Sequence, residues 1–273
     1  MSQAFGFSCK GGLNTNLNSI EILGNPGFAK VLENFEVDPD GGYRRINGFT
    51  AYGTARPNSS NAVLGIQPYG DGVVVCSGTD MFFSNDGDSW LQINRSGVSN
   101  SGDNYTVFTG RSTLTRTDQG QCQFALIEGA AYNYGQIVIA DGANKLYIFR
   151  MEGTGLLNTR TFFAEEVAVD GTNAVKYITV HDHHLIASGV ANNLNTIYYS
   201  VYNDATDFSG PGAGAVAISD QVQGIKGFRE NLNVFSQNSI HKLININDAQ
   251  NVRVDPITEN VGCLNGYSIQ EFG

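Results

Sequence analysis

Apolar residues along this chain come in short runs separated by small polar residues and glycines. The clearest example is Val73–Ser84, which reads VVVCSGTDMFFS: an apolar run, a polar break and a second apolar run. The same pattern returns at Ile137–Phe149, Leu185–Ser200 and Leu232–Leu243. Val, Ile, Tyr and Phe favour a pleated, half-buried surface, whereas Gly, Asn and Asp favour tight turns. The four segments therefore predict four imperfect copies of one β-hairpin, which indicates a repeat architecture.

Further apolar runs flank each hairpin, so each copy extends to a unit of four predicted strands. The runs are Ala62–Ile66, Gly72–Ser77, Asp80–Ser84 and Ser89–Ile93 in the first unit, Cys122–Ile127, Gln136–Ala140, Lys145–Met151 and Arg160–Val169 in the second, Val175–His181, His184–Ser188, Thr196–Tyr202 and Ala215–Ser219 in the third, and Val222–Phe228, Leu232–Ser236, Ser239–Ile246 and Asn251–Ile257 in the fourth. A fifth unit is predicted to begin at Tyr267–Phe272, and a polar insertion, Asn94–Gly120, separates the first two units.

The predicted fold is an all-β β-propeller with four-stranded antiparallel blades, because four strands in about 32 residues match one blade. Each blade leaves two apolar faces open, and stacking against a neighbour on each side buries both. Residues 61–273 are thus predicted to hold about four blades and the start of a fifth. Since that number makes a poor ring, we expect the chain to be the first part of a longer protein. The alternatives are a ring completed by other segments, and a pair of sandwiches with about eight strands.

Residues 1–60 lack this pattern and are predicted to form an arm that is irregular apart from one short helix. The helix is predicted at Asn25–Glu36, where Pro26 suits a first turn and apolar residues recur at helical spacing from Phe28 to Phe35. A strand is predicted to follow at Tyr43–Phe49. Because such a short helix needs a surface to pack on, the arm is predicted to act as a clasp that docks on a neighbour.

The charge of the chain is unevenly distributed and excludes one class of function. The net charge is −10, and residues 1–60 carry five basic and five acidic side chains, so the acidic excess lies in residues 61–273. This balance argues against a high-affinity nucleic-acid binder, which needs a Lys/Arg footprint. It suits a soluble surface, or one that DNA passes without sticking. Arg44 and Arg45 form the only basic pair, either as a salt bridge or solvated face or as a contact to a phosphate or an acidic neighbour.

Ser84–Trp90 (SNDGDSW) resembles the Asp-box of propeller sialidases, although it lacks one residue between Asp86 and the glycine. An Asp-box is a structural turn whose carboxylate accepts backbone N–H bonds. The same loop offers oxygen ligands for calcium through Asp86 and Asp88. No bidentate glutamate follows at the EF-hand spacing, so the structural turn is the favoured interpretation.

His181-Asp182-His183-His184 is the only histidine cluster. In a continuous strand His181 and His183 would point to one face, where two imidazoles could hold a transition metal. The favoured interpretation is a turn at the end of a strand, with Asp182 in the bend. No G-x-S-x-G elbow, Walker loop, H-E-x-x-H or C-x-x-C motif is present, so we predict a protein with no catalytic centre and no cofactor. No run approaches the roughly 20 apolar residues that span a bilayer, so no membrane partner is predicted.

Several segments resemble one family in sequence order. The segments are Gly11–Asn18 (GGLNTNLN), Asn25–Phe49 (NPGFAKVLENFEVDPDGGYRRINGF), Ile197–Ser209 (IYYSVYNDATDFS), Ile225–Leu243 (IKGFRENLNVFSQNSIHKL) and Glu259–Gly273 (ENVGCLNGYSIQEFG). Together they are similar to tail nozzle, or tail hub, proteins of short-tailed bacteriophages, and the resemblance covers most of the chain. The long insertion at Asn94–Gly120 and the early end depart from the family pattern.

The resemblance implies a β-propeller subunit of a virion, assembled in the host cytoplasm and located in the tail. Such a subunit forms a homo-oligomeric, usually six-fold ring. The ring meets the portal and adaptor, carries tail fibres and lets DNA pass through its lumen without sequence-specific binding. We expect Phe28, Phe35, Arg44 and Arg45 to contribute to assembly or docking.

The alternative function is a glycan-binding or sialidase-like β-propeller that takes part in host receptor recognition. It is suggested by the Asp-box-like turn and by aromatic residues that are expected to be exposed, such as Trp90, Tyr132 and Tyr134. A sialidase-like site would need arginines and carboxylates that converge at one mouth of the propeller. The arginines of this chain are few and scattered, which favours the structural role.

Overall fold

The structure of the chain is a computed structural model that divides it into two compact units, Met1–Ala51 and Tyr52–Gly273. The described residues are 12–16, 18, 20–21, 27–29, 31, 33–37, 43–46, 48, 50–57, 61–93, 106–109, 120–128, 134–152, 160–171, 174–228, 231–248 and 251–269. Residues 52–57 belong to the second unit, where Tyr52 donates its hydroxyl to Ser84 O at 3.2 Å and Thr54 donates its N–H to the Asp88 carboxylate.

The described part of the first unit contains two small sheets. Its strands are β1 (Gly12–Leu13), β2 (Phe28–Ala29), β3 (Phe35–Val37) and β4 (Tyr43–Arg45). β1 pairs with β2 in parallel, and β3 pairs with β4 in an antiparallel hairpin. In that hairpin Glu36 lies opposite Arg44, which places opposite charges side by side.

The predicted helix at Asn25–Glu36 is wrong in its described part. Phe28 and Phe35 lie in strands β2 and β3, and Asn34 has φ +61, which ends any helical path. Val31 is 70% exposed and Phe35 is 44% exposed, so the apolar residues that suggested a helix do not form a buried face. A single short helix is marginal in water, and here strand pairing with β4 takes its place.

In its described residues the second unit is all-β, as the sequence predicts, and its strands form four successive sheets. Its strands are β5 (Val63–Tyr69), β6 (Gly72–Ser77), β7 (Asp80–Ser84) and β8 (Leu91–Gln92) in the first sheet, β9 (Thr106–Thr109), β10 (Gln123–Ile127), β11 (Gln136–Ala140), β12 (Leu146–Glu152) and β13 (Thr161–Val167) in the second, β14 (Tyr177–His181), β15 (His184–Val190), β16 (Asn193–Tyr199) and β17 (Gly214–Ala217) in the third, and β18 (Val222–Phe228), β19 (Asn231–Ser236), β20 (Ser239–Ile244) and β21 (Arg253–Glu259) in the fourth.

Each sheet is an antiparallel meander in which consecutive strands are neighbours. The exception is β9, which lies within the predicted insertion at Asn94–Gly120 and adds to the second sheet in parallel with β13. The predicted strand at Tyr267–Phe272 is wrong in its described part, because Gly266–Ser268 forms a 3-10 turn. Asn265 caps this turn by accepting the Tyr267 N–H at 3.0 Å, which favours a turn over an extended strand.

Three hydrophobic cores join the four sheets in chain order, one between each successive pair. Representative buried members are Val74 and Phe149 in the first core, Ile148 and Leu185 in the second, and Ile186 and Leu232 in the third. The two middle sheets contribute to two cores each, so alternate residues of one strand enter different cores. In β11, Ile137 enters the first core and Val138 the second, which explains why the strand is buried throughout and apolar from Ile137 to Ala140.

The first meander strands of the four sheets, β5, β10, β14 and β18, lie next to each other in succession. The Cys122 N–H, just before β10, donates to Leu64 O in β5 at 2.9 Å. β10 in turn contacts β14, and β14 contacts β18. The loops at one end of the third and fourth sheets are thereby brought together, although they are far apart in the sequence.

Candidate functional site

A polar cleft of about 790 Å3 lies where the β14–β15 turn of the third sheet meets loops of the fourth. Its lining includes His181, Asp182, Asn231, Asn245, Asp248 and Arg253. Three apolar side chains, Ile244, Ile246 and Val252, also line it. The cleft therefore combines carboxylates, amides, one imidazole and one guanidinium with a few aliphatic groups.

The β14–β15 connection is a two-residue hairpin turn. His181 pairs with His184, while Asp182 and His183 between them have φ +47 and +63. Positive φ at both central residues is the geometry that matches the twist of a hairpin, and Asp tolerates it. The turn predicted from the sequence is thus confirmed. The arrangement that would place His181 and His183 on one strand face is wrong, because His183 lies in the bend.

His181 and His184 are both buried, but they differ in their contacts. His184 places Nδ1 at 2.6 Å from Ser200 O and Nε2 at 2.8 Å from the Asn247 side-chain oxygen, so it joins its own sheet to the β20–β21 loop. His181 Nε2 lies 3.7 Å from an Asp182 carboxylate oxygen. Burial lowers the pKa of His181 from 6.5, with a smaller opposite effect from Asp182. The lowered pKa favours the neutral form of His181, which offers one donor and one acceptor.

The β20–β21 loop forms the opposite wall and is held by its own hydrogen bonds. The Asp248 N–H donates to Asn245 O and the Asn251 N–H donates to Asp248 O, both at 2.9 Å. The Asn251 side chain donates to the Asp248 carboxylate at 2.6 Å. Asn245 has φ +60, a conformation that Asn adopts more readily than most residues. The wall is thus built before any ligand arrives.

Arg253 lies at the edge of this wall, at the start of β21. Its Nε is 3.2 Å from an Asp255 carboxylate oxygen, and its side chain is 65% exposed. A cleft with two carboxylates and one paired guanidinium has no strong positive potential, so it does not favour a phosphate or another anion. Its groups suit a neutral ligand that both donates and accepts hydrogen bonds.

The carboxylates of Asp86 and Asp88, the predicted calcium candidates, accept hydrogen bonds from other groups of the protein. Asp86 Oδ1 accepts the N–H groups of Asp88 and Ser89, each at 2.8 Å, and the Ser84 hydroxyl at 3.1 Å. Asp88 accepts the N–H and the hydroxyl of Thr54, the latter at 2.7 Å. These bonds lower the pKa of Asp86, chiefly through the Ser89 N–H, and lower the pKa of Asp88 chiefly through the Thr54 hydroxyl. The Asp-box-like segment is a structural turn, and within the described ranges no group of three or more His, Cys, Asp and Glu could hold a metal ion.

The aromatic residues that suggested a glycan surface have other roles. Trp90 is half-buried and donates its indole N–H to Gly87 O at 3.1 Å. Tyr134 packs against Tyr69, with ring centroids 6.4 Å apart, and lies under the Arg160 guanidinium. Tyr132 lies outside the described residues. The expectation that these rings are exposed is therefore wrong for Trp90 and Tyr134.

The predicted docking residues lie in the first unit. Phe28 is half-buried, while Phe35 is 44% exposed and packs edge-on against Tyr43 at 5.8 Å. Arg44 Nε lies 2.7 Å from a Glu36 carboxylate oxygen, and Arg45 is exposed. These four side chains occupy two different sheets of the unit, so the structure does not gather them into one site.

The sequence pattern predicts one wall of the cleft, the turn around Asp182, but not the other wall, the β20–β21 loop. The only signal for that loop is the Asn-rich segment 245–251 (NINDAQN), which follows a predicted strand. Nothing in the sequence pairs it with Asp182, because their proximity comes from the stacking of the third and fourth sheets.

In the part of the chain that the structure describes, no helix has the length and apolar character needed to cross a membrane. The sequence matches no model of a known protein family, and no curated protein matches it.

Proposed function

We propose that this chain is a bacteriophage virion structural protein, a tail nozzle- or hub-like subunit with β-propeller blades. Its work is mechanical: it forms part of a DNA exit channel in the tail and offers a platform for portal, adaptor and tail fibre proteins. In this role it has no catalytic centre and no cofactor.

The observation that carries this proposal is the stacking of four meander sheets in chain order with their first strands adjacent. That is the way in which blades of a propeller succeed one another around an axis. Two of the segments that resemble tail nozzle proteins, Ile197–Ser209 and Ile225–Leu243, fall on the third and fourth sheets. The sequence resemblance and the architecture therefore both support a tail nozzle-like subunit.

The acidic side chains of the second unit support a rigid structural body. Asp141 Oδ1 accepts the N–H groups of Ala143 and Asn144 at 2.9 Å, and Asp207 Oδ1 accepts those of Ser209 and Gly210 at 2.8 and 2.9 Å. These aspartates stabilise the connections between strands in the way that Asx turns do. A body with stiff connections and excess negative charge suits a wall along which DNA slides.

The first unit supplies the assembly function in this proposal. Phe35 and Arg45 are exposed side chains on the two strands of one hairpin and lie opposite each other. An aromatic ring and a guanidinium are among the groups enriched at protein interfaces. In this reading the hairpin docks on the next subunit and closes a homo-oligomeric ring.

Electron microscopy and mass photometry of the purified full-length chain test the proposal. Rings of about six subunits with an open lumen are the expected result. Phe35→Asp combined with Arg45→Glu is expected to abolish the rings and leave a folded monomer. Leu194→Asp, which changes a 43% exposed apolar residue in the second unit, is the matched control. Compact monomers from the unaltered chain would exclude the ring.

A further inference from the structure

The cleft between the third and fourth sheets has the size of a ligand site. Its volume of about 790 Å3 lies within the range of small-molecule pockets, about 300–1,000 Å3. Ile244 and Val252, both partly exposed, line it together with the polar groups. The cleft therefore offers some apolar contact area as well as hydrogen bonds.

The polar groups of the cleft match hydroxyl groups better than they match ions. Asp182 accepts hydrogen bonds only, whereas the amides of Asn231 and Asn245 both donate and accept. Neutral His181 adds one donor and one acceptor. A sugar hydroxyl donates one hydrogen bond and accepts others, so pairs of neighbouring hydroxyls can be satisfied by such a mixed set. Two carboxylates and one arginine that is itself paired with Asp255 leave the cleft net negative, so it disfavours an acidic ligand.

An aromatic residue lies beside the same turn. The Tyr202 ring is 5.1 Å from the His183 ring and 5.8 Å from the His184 ring, measured between centroids, and the residue is 52% exposed. His184 in turn contacts Asn247, which lines the cleft. Tyr202 therefore offers a partly exposed ring, braced by two histidines, on which the C–H face of a pyranose can pack.

We propose that this cleft binds a neutral oligosaccharide. Asp182, Asn231 and Asn245 hold its hydroxyl groups, and Tyr202 supports a further sugar ring at the rim. The assignment is independent of the proposed tail function, since it concerns a site on one subunit and requires no ring.

An oligosaccharide array probed with the full-length protein is the first experiment. The probes are neutral and acidic glucose-, galactose-, mannose- and N-acetylhexosamine-containing oligosaccharides, followed by isothermal titration with the best neutral one. Binding to neutral members is expected. Absence of binding across the neutral set, or selective binding of the acidic members, would overturn the proposal.

Two variants locate the binding in the cleft. Asp182→Asn keeps a residue that tolerates φ +47, and Asn231→Ala removes an amide from the start of β19. Each is expected to weaken binding about tenfold, the loss that corresponds to one hydrogen bond. Asn233→Ala is the matched control, because Asn233 lies two residues along the same strand and points to the same side but does not line the cleft.

The control variant should bind within about twofold of the unaltered chain. Equal loss in Asn233→Ala, or full binding in both cleft variants, would place the sugar elsewhere and overturn the assignment. Circular dichroism melts of each variant separate a lost contact from a lost fold. Ring formation, measured on the same samples, is expected to be unchanged, so failure of one proposal is distinguishable from failure of the other.

Discussion

Arg160 and Asp71 form a bidentate ion pair that joins the first sheet to the second. Arg160 Nη1 lies 2.6 Å from Asp71 Oδ1, and Nη2 lies 2.8 Å from Oδ2. Asp71 is in the β5–β6 turn, whereas Arg160 directly precedes β13. The Arg160 side chain is 6% exposed and the Asp71 side chain is 45% exposed, so a buried cation depends on a carboxylate at the surface.

Asp71→Asn is expected to destabilise the second unit by about 1–2 kcal/mol, because it removes the charged partner of a bidentate ion pair with a buried guanidinium. Solvent around Asp71 limits the loss. Chemical unfolding followed by tryptophan fluorescence measures it. Asp255→Asn is the matched control, since Asp255 has a similar exposure of 41% but pairs with the exposed Arg253. Equal losses in the two variants would show that burial of the arginine contributes nothing.

The same pair predicts a dependence of stability on pH. The Arg160 hydrogen bond is the largest cause of a lowered Asp71 pKa, and it outweighs the opposite effect of burial. The folded state thus binds the Asp71 proton more weakly than the unfolded chain does. The stabilisation is present above the unfolded pKa of about 4 and is lost as pH falls through the lower folded value. The difference between the unaltered chain and Asp71→Asn should therefore shrink between pH 6 and pH 3; a constant difference would contradict this.

Tyr69 makes two buried hydrogen bonds between sheets. Its hydroxyl donates to Gly135 O at 2.8 Å and accepts the Met151 N–H at 3.1 Å, and burial raises its pKa to about 12. Tyr69→Phe leaves both backbone groups without this partner, so we expect a loss of about 1–3 kcal/mol. Tyr202→Phe, at a residue 52% exposed, should change the free energy of unfolding by less than about 0.5 kcal/mol. Similar values for the two variants would contradict the role of the Tyr69 hydroxyl.

The strands of this chain could be predicted where composition and turn chemistry agree. Gln136–Ala140 and Val222–Phe228 form strands at the residues that the sequence predicts. The first is a run of Ile and Val, whereas the second is recognised by its place before the hairpin Leu232–Leu243 in the repeat. The predicted helix at Asn25–Glu36 is wrong because helical periodicity alone does not show whether another element is there to pack against the apolar residues. The parallel strand β9 reads TVFT, a β-branched and aromatic run, but it lies inside the polar stretch Asn94–Gly120 that the sequence pattern marks as an insertion.

The cleft could be predicted only in part. The Asp182 turn has a local signature, whereas its partner wall, around Asn245 and Asp248, is set by the register of β19, β20 and β21 and by sheet stacking. Both depend on contacts between distant segments. Local patterns therefore predict the sheets better than the site that forms between them.

Calcium is not expected to stabilise the Ser84–Trp90 turn, because the Asp86 carboxylate already binds two backbone N–H groups of that turn. Neither EDTA nor millimolar calcium should shift the melting temperature. Asp86→Ala should lower the free energy of unfolding by about 1–2 kcal/mol through loss of these bonds. A calcium-dependent melt that disappears in Asp86→Ala would show that the loop binds the ion instead.

The segment around Gly266 joins the starts of three sheets. The Tyr267 hydroxyl donates to Gln121 O at 3.0 Å, just before β10, and its ring lies 6.1 Å from that of Tyr177 in β14. A Cβ added at Gly266 would collide with the carbonyl oxygen of Gln223 in β18 and lie 2.8 Å from the Tyr177 ring. The 3-10 turn therefore requires a residue without a side chain at this place.

Gly266→Ala is expected to destabilise the second unit by about 1–3 kcal/mol, since neither the β18 backbone nor the buried Tyr177 ring can move without cost. Tyr267→Phe should cost about 1 kcal/mol, the value of one hydrogen bond. Leu264→Ala serves as the control, because Leu264 is 97% exposed two residues away, and it should leave stability unchanged. Hydrogen exchange of the β10, β14 and β18 amides in the three variants shows which sheets lose stability. Faster exchange in all three strands for Gly266→Ala would support the joining role, whereas a change confined to β18 would restrict the segment to its own sheet.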